Sequence, residues 1–300
     1  MTAPAAQTGS AARPVALFVL GMGRSGTSAL TRVLSLCGAK LPAGMMGADN
    51  GNQRGYWEPR AALLLNRAIL ERHGSAWWDP SLRLLEQDAI GADEKAACMT
   101  EIGEFLNRLP PAPLVVIKDL QIASLSDMWF EAARVAGFDI AAVIAVRHPQ
   151  EVIASLSRIA GASPELASAL WLKGNLLAER QTRGLPRVFV DYANVLDNWR
   201  REVTRISKAL AIDLSARDDR AIEERHTRQT LNRMRTPGVR TTASTRYGQC
   251  SPGAPDGSTN SPDYSPNLRA QRNSQIPFAE RLHICRLRRL RRERVSSSLR

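Results

Sequence analysis

The sequence predicts an α/β class fold, a doubly wound and mostly parallel sheet with helices on both faces, on three observations. Four apolar runs, at 14–20 (PVALFVL), 113–119 (PLVVIKD), 138–146 (FDIAAVIAV) and 186–192 (PRVFVDY), are continuous and not alternating. Continuous apolar character is what parallel strands buried on both faces show. Amphipathic helical patterns lie between the runs, and a glycine-laced turn joins the first run to the first helix.

Each element follows from its residues. The first strand runs into Gly21, and a helix is expected over 27–39. The 59–72 segment has proline in its first turn and an apolar stripe behind it, so it reads as the second helix. Further helices are expected over 93–109, 125–137, 149–159, 164–180 and 195–210. In a sheet so wound, ligands bind at the C-terminal ends of the strands.

The 300 residues suffice for one such domain with a sizeable core, expected over 14–232, after a flexible leader at 1–13. Four cysteines, Cys37, Cys98, Cys250 and Cys285, show no pair at CxxC or metal-ligand spacing, which speaks against a disulfide framework or structural zinc. No apolar run approaches the roughly 20 residues of a membrane span, and no secretory signal is visible, so a cytoplasmic location is expected.

The net charge of +12 is unevenly placed. From Glu223 onward lie 16 of the 41 basic residues and 6 of the 29 acidic ones, so this stretch carries +10. The body is nearly neutral, and the basicity gives no reason to expect nucleic acid on it. The 233–300 tail is rich in Ser, Pro, Gly and Arg and is expected to be disordered. Its last stretch, RLHICRLRRLRRERV, reads either as a solvated tail or as a basic helix for acidic surfaces.

The turn GMGRSGTS carries the first chemical signal. Strand, glycine-rich loop and helix in that order turn backbone N–H groups and a helix N-terminus toward one point, an anion site that suits phosphate. Gly21 and Gly26 are spaced as in a Walker A loop, but Thr27 stands where that motif has Lys, and the cation sits inside the loop at Arg24. The same residues satisfy GxGxxG. A nicotinamide site also needs an acid about 20 residues on, and 38–48 (GAKLPAGMMGA) has no carboxylate.

The second signal is AVIAVRHPQEVIASLSRI, 142–159. Arg147 ends a strand, His148-Pro149 starts a helix, and Ser155 falls about two turns in. A planar guanidinium at a strand end and a hydroxyl on the next helix can hold one phosphate together.

With both signals in place, the chain resembles sulfotransferases that use 3′-phosphoadenosine 5′-phosphosulfate. Gly23-Arg24-Ser25-Gly26-Thr27-Ser28 resembles that family's 5′-phosphosulfate loop, and Arg147-His148-Pro149 through Ser155 resembles its 3′-phosphate motif. Gly55-Tyr56-Trp57-Glu58, with Leu65-Asn66 beyond, further resembles a bacterial branch. The resemblance covers about residues 14–222. It implies a P-loop-like fold, the phosphosulfate donor as co-substrate, no metal in the reaction, and a contact near the adenine from Tyr192.

The sequence departs from the family at three places. Family members often have Lys where Arg24 stands, and bacterial ones continue Lys118-Asp119 with Pro-Arg where this chain has Leu120-Gln121. The late glycine-rich Arg-Lys segment of animal enzymes has no match. The acceptor, a small molecule or carbohydrate with a hydroxyl or amine, needs a base, for which Glu58 is the first choice and His73 the second. Glu58 reads equally as a charge at the start of the 59–72 helix, Tyr192 as an aromatic packed on the sheet, and Trp57, Trp77 and Trp78 as pocket wall or core. Two other functions fit parts of the sequence: a P-loop kinase of small metabolites, and a degenerate nucleotide-binding module with a basic interaction tail.

Overall fold

The computed structural model describes residues 12–222 apart from residues 50, 87, 88, 216, 217 and 219. The leader up to residue 11 and the 233–300 tail lie outside the described residues. Strands β1 (Val15–Leu20), β2 (Leu114–Ile117), β3 (Asp139–Val146) and β4 (Arg187–Asp191) each fall within a predicted run. All their pairings are parallel, in the order β2-β1-β3-β4. Val15 stands level with both Leu114 and Asp139, so these three strands start together and, being parallel, point their C-terminal ends to the same side of the sheet. The chain winds to one side of β1 to make β2 and to the other to make β3, and the loop after β1 sits at that switch point.

Among the described residues seven α-helices fill both faces: α1 (Thr27–Leu36), α2 (Arg60–Arg72), α3 (Ala92–Leu106), α4 (Ser126–Val135), α5 (Pro149–Ala160), α6 (Pro164–Gln181) and α7 (Tyr192–Leu210). Leu17 and Val19 of β1 share one core with Leu34 of α1 and Trp199 of α7. Ala16, Phe18 and Leu20 point the other way, into a core with Ile69 of α2 and Trp129 of α4. Phe18 is fully buried and meets the rings of Trp129 and Phe130 edge-on at 6.3 and 5.2 Å. A third cluster seats Met22, from the loop after β1, between α5 and α6.

The differences from expectation have local causes. β2 stops at Ile117, because the Asp119 carboxylate accepts the Gln121 N–H and starts a short 3-10 turn, Leu120–Ser124. Helix α7 begins three residues early, because Asp191 accepts the Ala193 N–H and caps it. It bends at Asn198, whose side chain accepts the Arg201 N–H. Helix α1 ends at Leu36, short of 39, since Gly38 turns with φ +110 and Lys40 pairs with Val115. Among the described residues no helix is long and apolar enough to cross a membrane.

Candidate functional site

The loop after β1 turns on two glycines that no other residue could replace without movement. A Cβ on Gly21 (φ +115) would lie 2.3 Å from the Ala145 carbonyl oxygen of β3. One on Gly26 (φ +89) would lie 2.1 Å from the Tyr192 ring. A Cβ on Gly23 would lie 2.9 Å from Leu120 Cδ1 beyond β2, so the loop has close neighbours on both sides. Between the glycines, Arg24 itself takes a left-handed φ of 70. That conformation costs a non-glycine residue on the order of 1 kcal/mol or more and persists only where the surroundings hold it.

Gly26 caps α1 without a side-chain acceptor, and the first turn carries no acidic residue. The leading amides of α1 and its positive dipole end are therefore offered to a ligand. Thr27 is buried and Ser28 half-buried in this turn. Ser25 is fully buried, and its hydroxyl has no hydrogen-bond partner. An orphaned polar atom at such a place invites an explanation.

The side chain of Arg24 joins the two motifs that the sequence placed 131 residues apart. Its Nε donates to Ser155 Oγ at 3.1 Å and its Nη1 to the Gly51 carbonyl at 3.3 Å. Arg147 donates to the Arg24 carbonyl at 3.0 Å and to Glu151 at 2.6 Å, and lies over the Tyr192 ring at 5.1 Å. Trp171 of α6 donates to the Arg147 carbonyl and steadies the strand end. Burial pushes the Arg24 guanidinium below its ordinary value, and the nearby charges of Arg147 and Arg158 push the same way. Tyr192 thus packs on the Gly23–Ser28 loop and under Arg147.

Residues 49–58 fold over this cradle. Asp49 Oδ1 accepts from the Gly51 and Asn52 N–H groups and from the Tyr56 hydroxyl. Asn52 reaches Ser28 Oγ at 3.5 Å. Burial, then Asp49, holds the Tyr56 hydroxyl well above its usual range. Trp57 lies beneath the Arg32 guanidinium at 4.6 Å, whereas Trp77 and Trp78 pair edge-on with each other at 5.6 Å.

Glu58 is buried, and its carboxylate does not cap α2, whose first flanking residue, Pro59, has no side-chain cap. It accepts instead from Lys118 Nζ at 2.5 Å, and Lys118 is also buried. Lys118 donates to the Tyr56 carbonyl as well. Beside this pair Asp119 accepts from Asn66, which in turn accepts from Trp129 Nε1 at 2.7 Å. The second Asp119 oxygen is buried without a partner. Burial, and next the Glu58 charge, push the Asp119 carboxyl up to about 6, against the Gln121 N–H and Lys118.

The structure therefore brings Arg24, Arg147, Ser155 and Tyr192 around the Gly23–Ser28 loop, with Glu58 and Lys118 following on the same sheet edge. His73 lies apart, at the far end of α2. Sequence reasoning missed Arg158 and the Asp49–Asn52 turn. Arg158 follows Ser155 by three residues and so shares its helix face, and the Asx-rich DNGN segment is a turn signal.

No family model matches this chain, and no curated protein matches it. Two solved structures similar to it are sulfotransferase domains. The one from the curacin biosynthetic pathway is 18% identical with a TM-score of 0.40, over 66% of this chain and 74% of that domain. The one from the Synechococcus PCC 7002 olefin synthase is 20% identical with a TM-score of 0.42, over 69% and 77%.

Proposed function

We propose that the protein transfers a sulfuryl group from 3′-phosphoadenosine 5′-phosphosulfate to an acceptor hydroxyl or amine. One observation carries the reading: the strained, arginine-bearing loop after β1 and the Arg147–Ser155 segment after β3 meet through the Arg24–Ser155 hydrogen bond. A donor with anionic groups at two points suits a cradle with two cationic, hydroxyl-bearing halves. The 5′-phosphosulfate end belongs to Gly23, Ser25, Gly26, Thr27, Ser28 and the α1 amides, and the 3′-phosphate to Arg147 and Ser155. Donor entry then requires Arg24 to leave Ser155 and Gly51 for the ligand.

In the reaction the acceptor oxygen or nitrogen attacks sulfur in line, and the bond from sulfur to the 5′-phosphate oxygen breaks. Negative charge gathers on that departing oxygen. Once drawn onto the bound donor, Arg24 joins the uncapped α1 amides there, so little further reorganisation is needed as the charge develops. A guanidinium does not readily give up a proton, so the role of Arg24 is electrostatic. Glu58 takes the acceptor proton, with Lys118 fixing its carboxylate until the acceptor arrives. A phosphoryl-transfer reading lacks the Lys that would follow Gly26, where Thr27 is buried.

Thermal-shift titration with 3′-phosphoadenosine 5′-phosphate, ATP-Mg and NAD tests the reading. Binding to the native state raises the melting temperature by mass action. The bisphosphate is expected to stabilise the protein, with the other two weaker. Stabilisation by ATP-Mg alone would sink the proposal.

A further inference from the structure

We propose that His73, Glu94 and Cys98 form a transition-metal site of the zinc class that ties α2 to α3. Among the described residues these three bring one ligand atom each within 4.8 Å of one another. His73 is the residue that ends α2, and Glu94 and Cys98 stand one turn apart on α3. His73 Nε2 lies 3.6 Å from Glu94 Oε1, and Cys98 Sγ lies 3.7 Å from the same oxygen. Ligand atoms on one tetrahedral zinc, at bonds of about 2.0–2.3 Å, stand roughly 3.3–3.8 Å apart. Glu94 Oε1 is thus at metal spacing from both other donors, and the whole trio lies within 4.8 Å.

A second observation points the same way. His73 Nε2 is buried and has no hydrogen-bond partner. A buried ring nitrogen without a partner is costly, and a metal bond would satisfy it. The mixed nitrogen, oxygen and sulfur set selects zinc-like ions over calcium or magnesium. The Glu94 side chain is 40% exposed and opens a path for entry.

Arg72 balances the site when no metal is bound, reaching Cys98 Sγ at 3.3 Å and Glu94 at 3.2 Å. It also holds Glu101 at 2.9 Å, outside the trio, and keeps that partner when the ion arrives. Binding forms one bond each to nitrogen, oxygen and sulfur, and the Cys98 thiol releases its proton to solvent. One coordination position remains for water. The 13 residues of α2 span about 20 Å, so this site stands well away from Glu58 and is separate from the proposed transfer chemistry.

The test uses the full chain carrying Cys250→Ser and Cys285→Ser, titrated with Co2+ and followed by absorption. A thiolate-to-cobalt charge-transfer band is expected, saturating at one equivalent and displaced by Zn2+. Adding Cys98→Ser should abolish the band. His73→Ala should weaken Co2+ binding by more than the roughly 10–100-fold typical of an outer-shell partner. Circular dichroism checks that each variant is folded. Absence of the band, its persistence in Cys98→Ser, or unchanged affinity in His73→Ala would each overturn the site.

Discussion

Arg24 and Lys118 stand beyond the ends of neighbouring strands, β1 and β2, yet their surroundings differ in kind. Lys118 is 2% exposed, meets the Glu58 carboxylate at 2.5 Å, and has Asp119 buried next to it in sequence. Arg24 is half-buried, its acceptors are a hydroxyl and a carbonyl, and the cations Arg147 and Arg158 stand near enough to add to the lowering that burial imposes on it. One region is closed on itself electrostatically. The other has gathered cations around a strained loop and an uncapped helix end. A protein keeps such an excess where an anion completes it, so the contrast supports the proposal that the donor binds at Arg24 while Lys118 positions Glu58.

The largest effect is expected from breaking the compensated region. Lys118→Met strands the buried Glu58 carboxylate and should cost about 3–5 kcal/mol in urea unfolding. Lys118→Met with Glu58→Leu should recover most of that loss, because neither charge then remains unpaired. If the double variant is as unstable as the single one, the two side chains do not compensate each other.

Removing Arg24 should act on chemistry instead of stability. Arg24→Gly suits the local φ of 70, so the fold should be as stable as before or slightly more so. Sulfuryl transfer should fall about 100–1,000-fold, the usual loss for a group that holds developing charge. A stability loss comparable to that of Lys118→Met would erase the distinction between the two regions.

The smallest effect is the pH dependence of Asp119. Its ordinary value of 3.8 rises to about 6 in the fold, so between these limits the native state binds a proton that the unfolded chain has lost. This contribution to stability is fully present below pH 3.8 and is lost as pH rises through about 6. The slope is at most about 1.4 kcal/mol per pH unit. Asp119→Asn should flatten it in urea unfolding across that window.

Most of the fold was legible in the sequence because buried parallel strands write themselves as unbroken apolar runs, as FDIAAVIAV does for β3. Boundaries set by single side chains were less visible: Asp191 starts α7 early and Asp119 ends β2, and neither cap alters the hydropathy pattern. Arg24, Arg147 and Ser155 could be picked out by their places after strands and on a helix, but their contact depends on β3 lying beside β1. The Lys118–Glu58 pair joins residues 60 positions apart. Glu58 looked equally like a helix-start charge or a base, and only the fold turns its carboxylate toward Lys118.

The most direct test of the shared cradle compares the affinities of 3′-phosphoadenosine 5′-phosphate and adenosine 5′-phosphate by calorimetry, in the wild-type protein and in Arg147→Ala. A charge-assisted hydrogen bond contributes about 1.5–3 kcal/mol, so the wild type should prefer the bisphosphate by roughly tenfold or more. That preference should largely disappear in Arg147→Ala while binding of the monophosphate persists. Equal affinity of the wild type for the two nucleotides, or a preference untouched by Arg147→Ala, would contradict a donor held jointly by the loop after β1 and the segment after β3.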